Sequence, residues 1–532
     1  MGAFSKSIRC IVILLLLLCA GCHSQQRSSP EEQDVRTLRA EGQGASKHVI
    51  LLVVDSLQSK ALETGVKQGK LPAFESLIER GRYVPDFVSS FPTMSVTIDS
   101  TLLTGTHPDE HHVPGLVWYS AEEKRLVSYG TGGVETVRYG FDAVMRNALL
   151  QLNGRHLSPD TPTMFEELAD MGLTSGSING LVFRGKTKHT LTLPPWLHPV
   201  SSMPEEIDVH GPDFMTYGAL SDPLEGIAEL PDGLADRMGL NDRYAVEAAT
   251  HLIRNNLLPA FLYVYLPDLD RRLHNKGPSD LGGLEDTDRR LGKLLQAIAD
   301  RERRLRRRDT VVIVMGDSGV TQMLPRSADP SVRLRDLLRD FRLLQPGESV
   351  NEDTDLVLAL NESMAYVYSL KPEYALHTIA NALVADDRID FAAWKENEWI
   401  RVVQGGMGRE LQYKADGQLI DPYGQSWTVR GDAEVLGLQL DGNAVRYTDY
   451  PDALKRLSAA LHSHAGEFLV VTTKPGYDMT FGGSPTHPGG GGHGSLHKTD
   501  SLFPVIISGT DETPDHRRIV DLKAFLMKLL RP

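Results

Sequence analysis

Apolar residues in this chain fall into two patterns. The first is continuous: His48-Val-Ile-Leu-Leu-Val-Val ending on Asp55, Phe261–Leu266 leading to Asp268 and Asp270, Thr310–Met315 leading to Asp317, and a fourth run over 503–508. Such runs predict strands buried on both faces, as in a parallel sheet covered by helices. The second is periodic, with Leu71, Phe74, Leu77 and Ile78 before Gly81, and similar spacing over 244–257, 288–301 and 451–461. Strands alternating with helices predict a layered α/β fold. In such folds the ligand crevice lies at the carboxyl ends of the strands, so Asp55, Asp270 and Asp317 are expected to converge. One acid after one strand reads as a turn residue or helix cap. Three of them, with His274 four residues after Asp270, read as a site.

Residues 87–105, FVSSFPTMSVTIDSTLLTG, add a candidate for its centre. Met94, Ile98 and Leu102 share one helical stripe, which places Thr93 at a helix start. Exposed backbone N–H groups and the positive dipole end suit an anion there; the same position alone reads as an N-cap. Periodicity weakens in two regions, 185–240 and 390–447. The first is rich in Pro, Gly and acids, as loops over a crevice would be. The second is polar and strand-like, with a hairpin signal at Asp416-Gly417.

The N-terminus departs from all of this. Lys6 and Arg9 precede an apolar stretch over 11–18 that closes on Cys19-Ala20-Gly21-Cys22. The stretch is shorter than the roughly 18 residues a bilayer span requires, and the pattern predicts a secretory signal. Its ending resembles a bacterial lipobox, with Cys19 where such boxes usually carry Leu. The expected organisation is a lipoprotein-type signal peptide over 1–22, a flexible tether over 23–47, and one domain over 48–532 with insertions near 185–240 and 390–447. Lipidated Cys22 would attach the exported protein to the membrane of a bacterial cell envelope; an uncleaved anchor would give nearly the same address. Cys10, Cys19 and Cys22 are the only cysteines of the 532 residues. The exported body thus has no disulfide and no thiolate, and a metal site must use His, Asp and Glu. A formal net charge of −14 argues against binding a nucleic-acid duplex.

Asp270 and His274 in YLPDLDRRLHNKGP form a carboxylate and imidazole pair, expected in a loop after a strand and suited to zinc, and the loop GGGGHGSLH, with His493 and His497, offers a third ligand. A glycine-rich loop also lets backbone pack close to a metal or anion.

Taken in order, Asp55 after its strand, FPT with Thr93, TGTHPDEHHVPGLVWY from Thr104, PDLDRRLHNKGP, MGDSG from Met315 and GGHGSLH resemble the motifs of the nucleotide pyrophosphatase/phosphodiesterase branch of the alkaline phosphatase superfamily. The resemblance implies a three-layer α/β/α sandwich with a largely parallel central sheet and inserted cap regions. It implies two divalent metal ions, zinc first among candidates: one on Asp270, His274 and His493, the other on Asp55, Asp317 and Thr93. It also implies hydrolysis of a phosphodiester or pyrophosphate bond, of a substrate such as a nucleotide, through attack by Thr93 and a covalent phosphothreonine. Metal coordination answers the poor nucleophilicity of a threonine hydroxyl at neutral pH.

Two positions depart from the family pattern. Asp317-Ser318-Gly319 stands where the family has Asp-His-Gly, which leaves an oxygen-rich second site suited to magnesium, manganese or calcium. Leu116 occupies the place of an asparagine that often binds phosphoryl oxygens, for which His107, His111, His112 or His487 could substitute, although each taken alone reads as a surface or structural histidine. The alternatives are a phosphomonoester, phosphonate or sulfate ester hydrolase using the same residues, or a degenerate site in an envelope binding protein.

Overall fold

Alternate side chains of the apolar runs point to opposite faces, and this builds the layers. Val49, Leu51 and Val53 pack with Tyr263, Ile313 and Phe503 into one core, while Ile50, Leu52 and Val54 pack with Leu262, Val314 and Ile506 into another. The structure is a computed structural model and describes residues 47–198, 201–225 and 228–531. The signal segment, Cys22 and nearly all of the tether lie outside the described residues.

His48–Val54 lies inside a seven-stranded sheet, parallel to both Thr310–Met315 and Phe261–Leu266. Ser175–Ile178 and Phe214–Thr216 continue the parallel order to one edge. On the other side Leu502–Ser508 runs antiparallel to Thr310–Met315, and Arg82–Val88 pairs antiparallel with it. The run over 503–508 is thus a buried strand as its composition predicts, but reversed in direction. Its reversal has a use: the chain enters the strand at the end where the parallel strands finish, so the preceding loop with His493 lies at the carboxyl-end crevice. Ser59–Lys67, Pro72–Arg80, Asp242–Arg254 and Leu281–Leu305 cover one face. Ser95–Thr104, Met164–Asp170 and Leu522–Leu530 cover the other, completing the α/β/α layers.

A second, nine-stranded and mostly antiparallel sheet spans Leu356–Asn361 to Phe468–Thr473. Residues 390–447 contribute strands to it rather than standing apart, and Leu376–Val384 and Ala453–His462 pack on its two faces. Asp416-Gly417 is not its hairpin turn. Glu410–Ile420 passes through it as one strand with a register shift, because the turn to Ser426–Gly431 is made at Asp421, whose carboxylate accepts the Tyr423 and Gln425 N–H groups at 2.9 Å. The 185–240 region holds the hairpin Thr187–Thr192/Glu206–Gly211 and then the edge strand Phe214–Thr216. Asn361 ties the second sheet to the small hairpin that begins at Val117: its side chain accepts from Val117 N at 3.1 Å and donates to Val117 O at 2.9 Å.

Candidate active site

The corner before Ser95–Thr104 contains a cis Phe91-Pro92 bond, and the helix after it is buried from Val96 to Thr104 rather than along one stripe. Burial all round is tolerated because its hydroxyls bond within the helix, Ser100 Oγ to Val96 O at 2.7 Å and Thr101 Oγ1 to Thr97 O at 2.9 Å. The N-cap is Met94, with no side chain capping the first turn. Thr93 therefore precedes the cap and does not serve as it. Thr93 is fully buried, and its Oγ1 accepts a hydrogen bond from Gly494 N at 2.7 Å. A Cβ on Gly494, whose φ is +117°, would lie 2.4 Å from Asn361 O, so only glycine brings this N–H to the hydroxyl.

Asp270 and His274 lie four residues apart on the helix Asp268–Lys276, which puts them on one face. Each imidazole of the cluster is anchored through Nδ1 to a backbone carbonyl, His274 to Gly491 O at 2.9 Å and His493 to Thr93 O at 2.6 Å. A carbonyl only accepts, so Nδ1 carries the proton and Nε2 faces inward. The two Nε2 atoms lie 3.2 and 3.5 Å from Asp270 Oδ1. Burial opposes charge here, yet Asp270 and Glu362 hold His274 up to about 9 and raise His493 well above the usual imidazole range. The same imidazoles hold Asp270 well below the usual carboxylate range against its burial.

Asp55 and Asp317 meet beside this cluster. Ser56, at φ +62°, links the strand ends: its N–H donates to Asp317 Oδ1 and its Oγ to Asp270 Oδ1, both at 2.8 Å. Ser318 N also donates to Asp317 Oδ1 at 2.8 Å. Asp55 Oδ2 accepts from Tyr265 OH and, at 3.5 Å, from Ser95 Oγ at the helix start. Asp55 Oδ1 and Ser318 Oγ are buried with no hydrogen-bond partner among the described residues. Burial, then the neighbouring charges of Asp317 and Asp270, push Asp55 well above the usual carboxylate range, and burial likewise raises Asp317.

The residues singled out in the sequence thus come together: Thr93 bonds to the loop of His493, His493 faces Asp270, and Ser56 ties Asp270 to Asp317 beside Asp55. The donor set fits metal ions. Asp270, His274 and His493 offer ligand atoms within 4.8 Å of one another, and two facing carboxyls with an orphaned oxygen at Asp55 suit a cation. Ser318 adds only a hydroxyl.

Among the histidines weighed in place of the missing asparagine, His111 is buried against Thr101 Oγ1 at 3.0 Å and His107 is buried as well, whereas His487 stacks on His274 with centroids 4.1 Å apart. Leu116 packs in the cores between the sheets. Ser56, Tyr265 and Glu362 escaped the sequence reading. Tyr265 alternates with Tyr263 in an apolar strand, a faint signal of polar tips at one face; nothing local marks the other two.

A family model described as type I phosphodiesterase/nucleotide pyrophosphatase matches residues 49–496. Murine ectonucleotide pyrophosphatase/phosphodiesterase 5 is similar in structure, with a TM-score of 0.52 at 13% identity, covering 91% of this chain and 95% of its own. The human protein of that name gives 0.52 at 14% identity with the same coverage. An inactive form of the murine protein in complex with AMP gives 0.51 at 13% identity, again over 91% and 95%. At these identities the likeness is one of fold. No curated protein sequence matches the chain significantly.

Proposed function

The chain belongs to the type I phosphodiesterase/nucleotide pyrophosphatase family, and from that premise we propose that it is a metal-dependent hydrolase of phosphodiester or pyrophosphate bonds with Thr93 as nucleophile. The observation that carries the reading is the position of Thr93 Oγ1, buried before an uncapped helix and hydrogen-bonded to Gly494 N–H. Asp270, His274 and His493 would hold one divalent ion, zinc by their chemistry; Asp55, Asp317 and Thr93 would hold another, of a harder kind. Bound ions would lower the hydroxyl's pKa and neutralise charge gathering on the phosphoryl oxygens.

The protein groups do the rest. Gly494 N–H and the first turn of Ser95–Thr104 bring positive partial charge to the oxygen as it attacks. A bond forms between Thr93 Oγ1 and phosphorus while the bond to the leaving alcohol or nucleotide breaks, and the leaving oxygen takes a proton. Water then cleaves the phosphothreonine, and Thr93 regains its proton. Nε2 of His274 and of His493 stay aimed inward because their Nδ1 protons are committed to carbonyls. The AMP complex of the murine neighbour supports a nucleotide-containing substrate.

Purified protein should hydrolyse bis-nitrophenyl phosphate and lose the activity to a chelator. Thr93→Ala should lower turnover by about a thousandfold or more while the protein stays folded; activity surviving that change would remove Thr93 from the mechanism. A nitrophenyl monoester, phosphonate or sulfate turned over faster than the diester would reassign the substrate class. The pattern over 1–22 supports export and lipid attachment at Cys22, and Cys22→Ser should release the protein from the membrane fraction.

A further inference from the structure

We propose that Glu362 is a fourth protein ligand of the metal site formed by Asp270, His274 and His493. The inference rests on the metal-dependent reading above. Glu362 sits at the turn between Leu356–Asn361 and Met364–Ser369, with φ +58°, a left-handed conformation unusual for this residue type. The turn brings the second sheet against the active-site loops. Glu362 Oε2 accepts the backbone N–H of His493 at 3.1 Å, and this bond aims Oε1 at the cluster. Oε1 lies 3.7 Å from His274 Nε2.

Three contacts match the edges of a coordination shell, although in this structure Glu362 groups within 4.8 Å with His274 and His487 rather than with Asp270 and His493, so its carboxylate would turn toward the ion on binding. A tetrahedral zinc with bonds of about 2.0–2.1 Å has donor-to-donor edges of about 3.3 Å. Asp270 Oδ1 to His274 Nε2 is 3.2 Å, Asp270 Oδ1 to His493 Nε2 is 3.5 Å, and His274 Nε2 to Glu362 Oε1 is 3.7 Å. His274 Nε2 is thus flanked by a carboxylate from its own helix and one from a turn of the second sheet. Two carboxylates and two neutral imidazoles balance a divalent charge, whereas Asp270 alone would leave the ion with a net positive charge. His487 serves as a positioning residue. Its ring stacks on His274, and its Nε2 lies 3.6 Å from Glu362 Oε1, which holds the carboxylate arm in place. The assignment makes this half of the site the one that retains its metal.

The test strips the protein of metal and titrates zinc against a chromophoric chelator, then records the visible spectrum of the cobalt(II) form. Glu362→Ala should weaken zinc binding by about 100-fold or more and lower the cobalt d–d intensity as water replaces a protein ligand; His487→Ala should cost about tenfold. Glu362→Gln, which keeps the volume, should fall on the same side of wild type as Glu362→Ala, and decides the case if the alanine variant does not fold. Zinc binding within about threefold of wild type in the folded Glu362 variants, with an unchanged cobalt spectrum, would overturn the proposal and leave Glu362 an ion-pair partner of the histidines. Wild-type protein that takes up no zinc, or His493→Ala binding it as tightly as wild type, would instead overturn the metal-dependent reading itself.

Discussion

The two halves of the candidate site lie side by side and are built on opposite electrostatic principles. The Asp270 half pairs carboxylates with imidazoles, and each charge lies near an opposite one: Asp270 with His274 and His493, Glu362 with His274. The Asp55 half sets two carboxyls together with hydroxyls, and its only close donors are neutral. The first is electrically satisfied by protein groups; in the second, burial and like charges outweigh the opposing charge of His493, which favours a proton or a cation there. An imidazole at position 318 would have softened this contrast. With Ser318 there, the proposed Asp55 site would offer oxygen donors alone, and zinc would lose its advantage over harder ions.

The contrast breaks most sharply by removing one ligand from each half. His493→Ala should lower zinc affinity of the Asp270 half by at least about 100-fold and abolish hydrolysis, whereas Asp317→Ala should leave one tightly held zinc per chain and still abolish hydrolysis. Elemental analysis after gel filtration checks both; equal metal loss in the two variants would mean the halves bind as a unit. Restoring the imidazole should narrow the gap. Ser318→His should raise zinc affinity of the Asp55 half by about tenfold or more, read by the same chelator competition, against an overpacking cost of about 1–3 kcal/mol in thermal unfolding.

The smallest effect is in the pH dependence of the metal-free protein. Asp99 donates nothing to the site, but burial, aided by the charge of Asp317 and opposed by its Tyr263 hydrogen bond, pushes it up to about 7. The fold then binds this proton more tightly than the unfolded chain, where an aspartate titrates near about 3.9. Its contribution to stability is complete below about pH 4 and is lost as pH rises through about 7. Asp99→Asn should flatten that part of the denaturant midpoint against pH. The Asp270 half gives different windows. His274, held at about 9, contributes below its unfolded value of about 6.5 and loses this as pH rises through about 9. Glu362, lowered to about 2 by the nearby imidazoles despite burial, contributes above about 4.3 and loses this as pH falls through about 2.

Much of this site was legible without coordinates, for a physical reason particular to each part. A strand buried on both faces must be apolar throughout, so the runs ending at Asp55 and Asp317 announce both the strand and the polar group at its mouth. His274 is visible as an imidazole four residues after an acid at a strand end; the segment is expected to be a loop, and it is the helix Asp268–Lys276 that puts the two on one face. Ser56 carries no such mark: its value lies in bridging Asp270 and Asp317, 214 and 261 residues away. Glu362 is invisible for the same reason, since its turn belongs to the second sheet. The signal at Asp416-Gly417 misled because a bulge and a turn make similar local demands, and the Asp421 carboxylate decided between them.

What the sequence by itself determined is the chemistry available: layered α/β architecture, acids at strand ends, a thiol-free ligand set and a hydroxyl at a helix start. These follow from local periodicity and residue type. What only the tertiary structure decided is which charges face each other. It reversed Leu502–Ser508 so that His493 enters the crevice, brought Glu362 from another sheet, and left Asp55 Oδ1 and Ser318 Oγ without partners among the described residues. Electrostatic pairing depends on separations of a few ångströms between residues hundreds of positions apart, and packing of the two sheets, not local pattern, sets those separations.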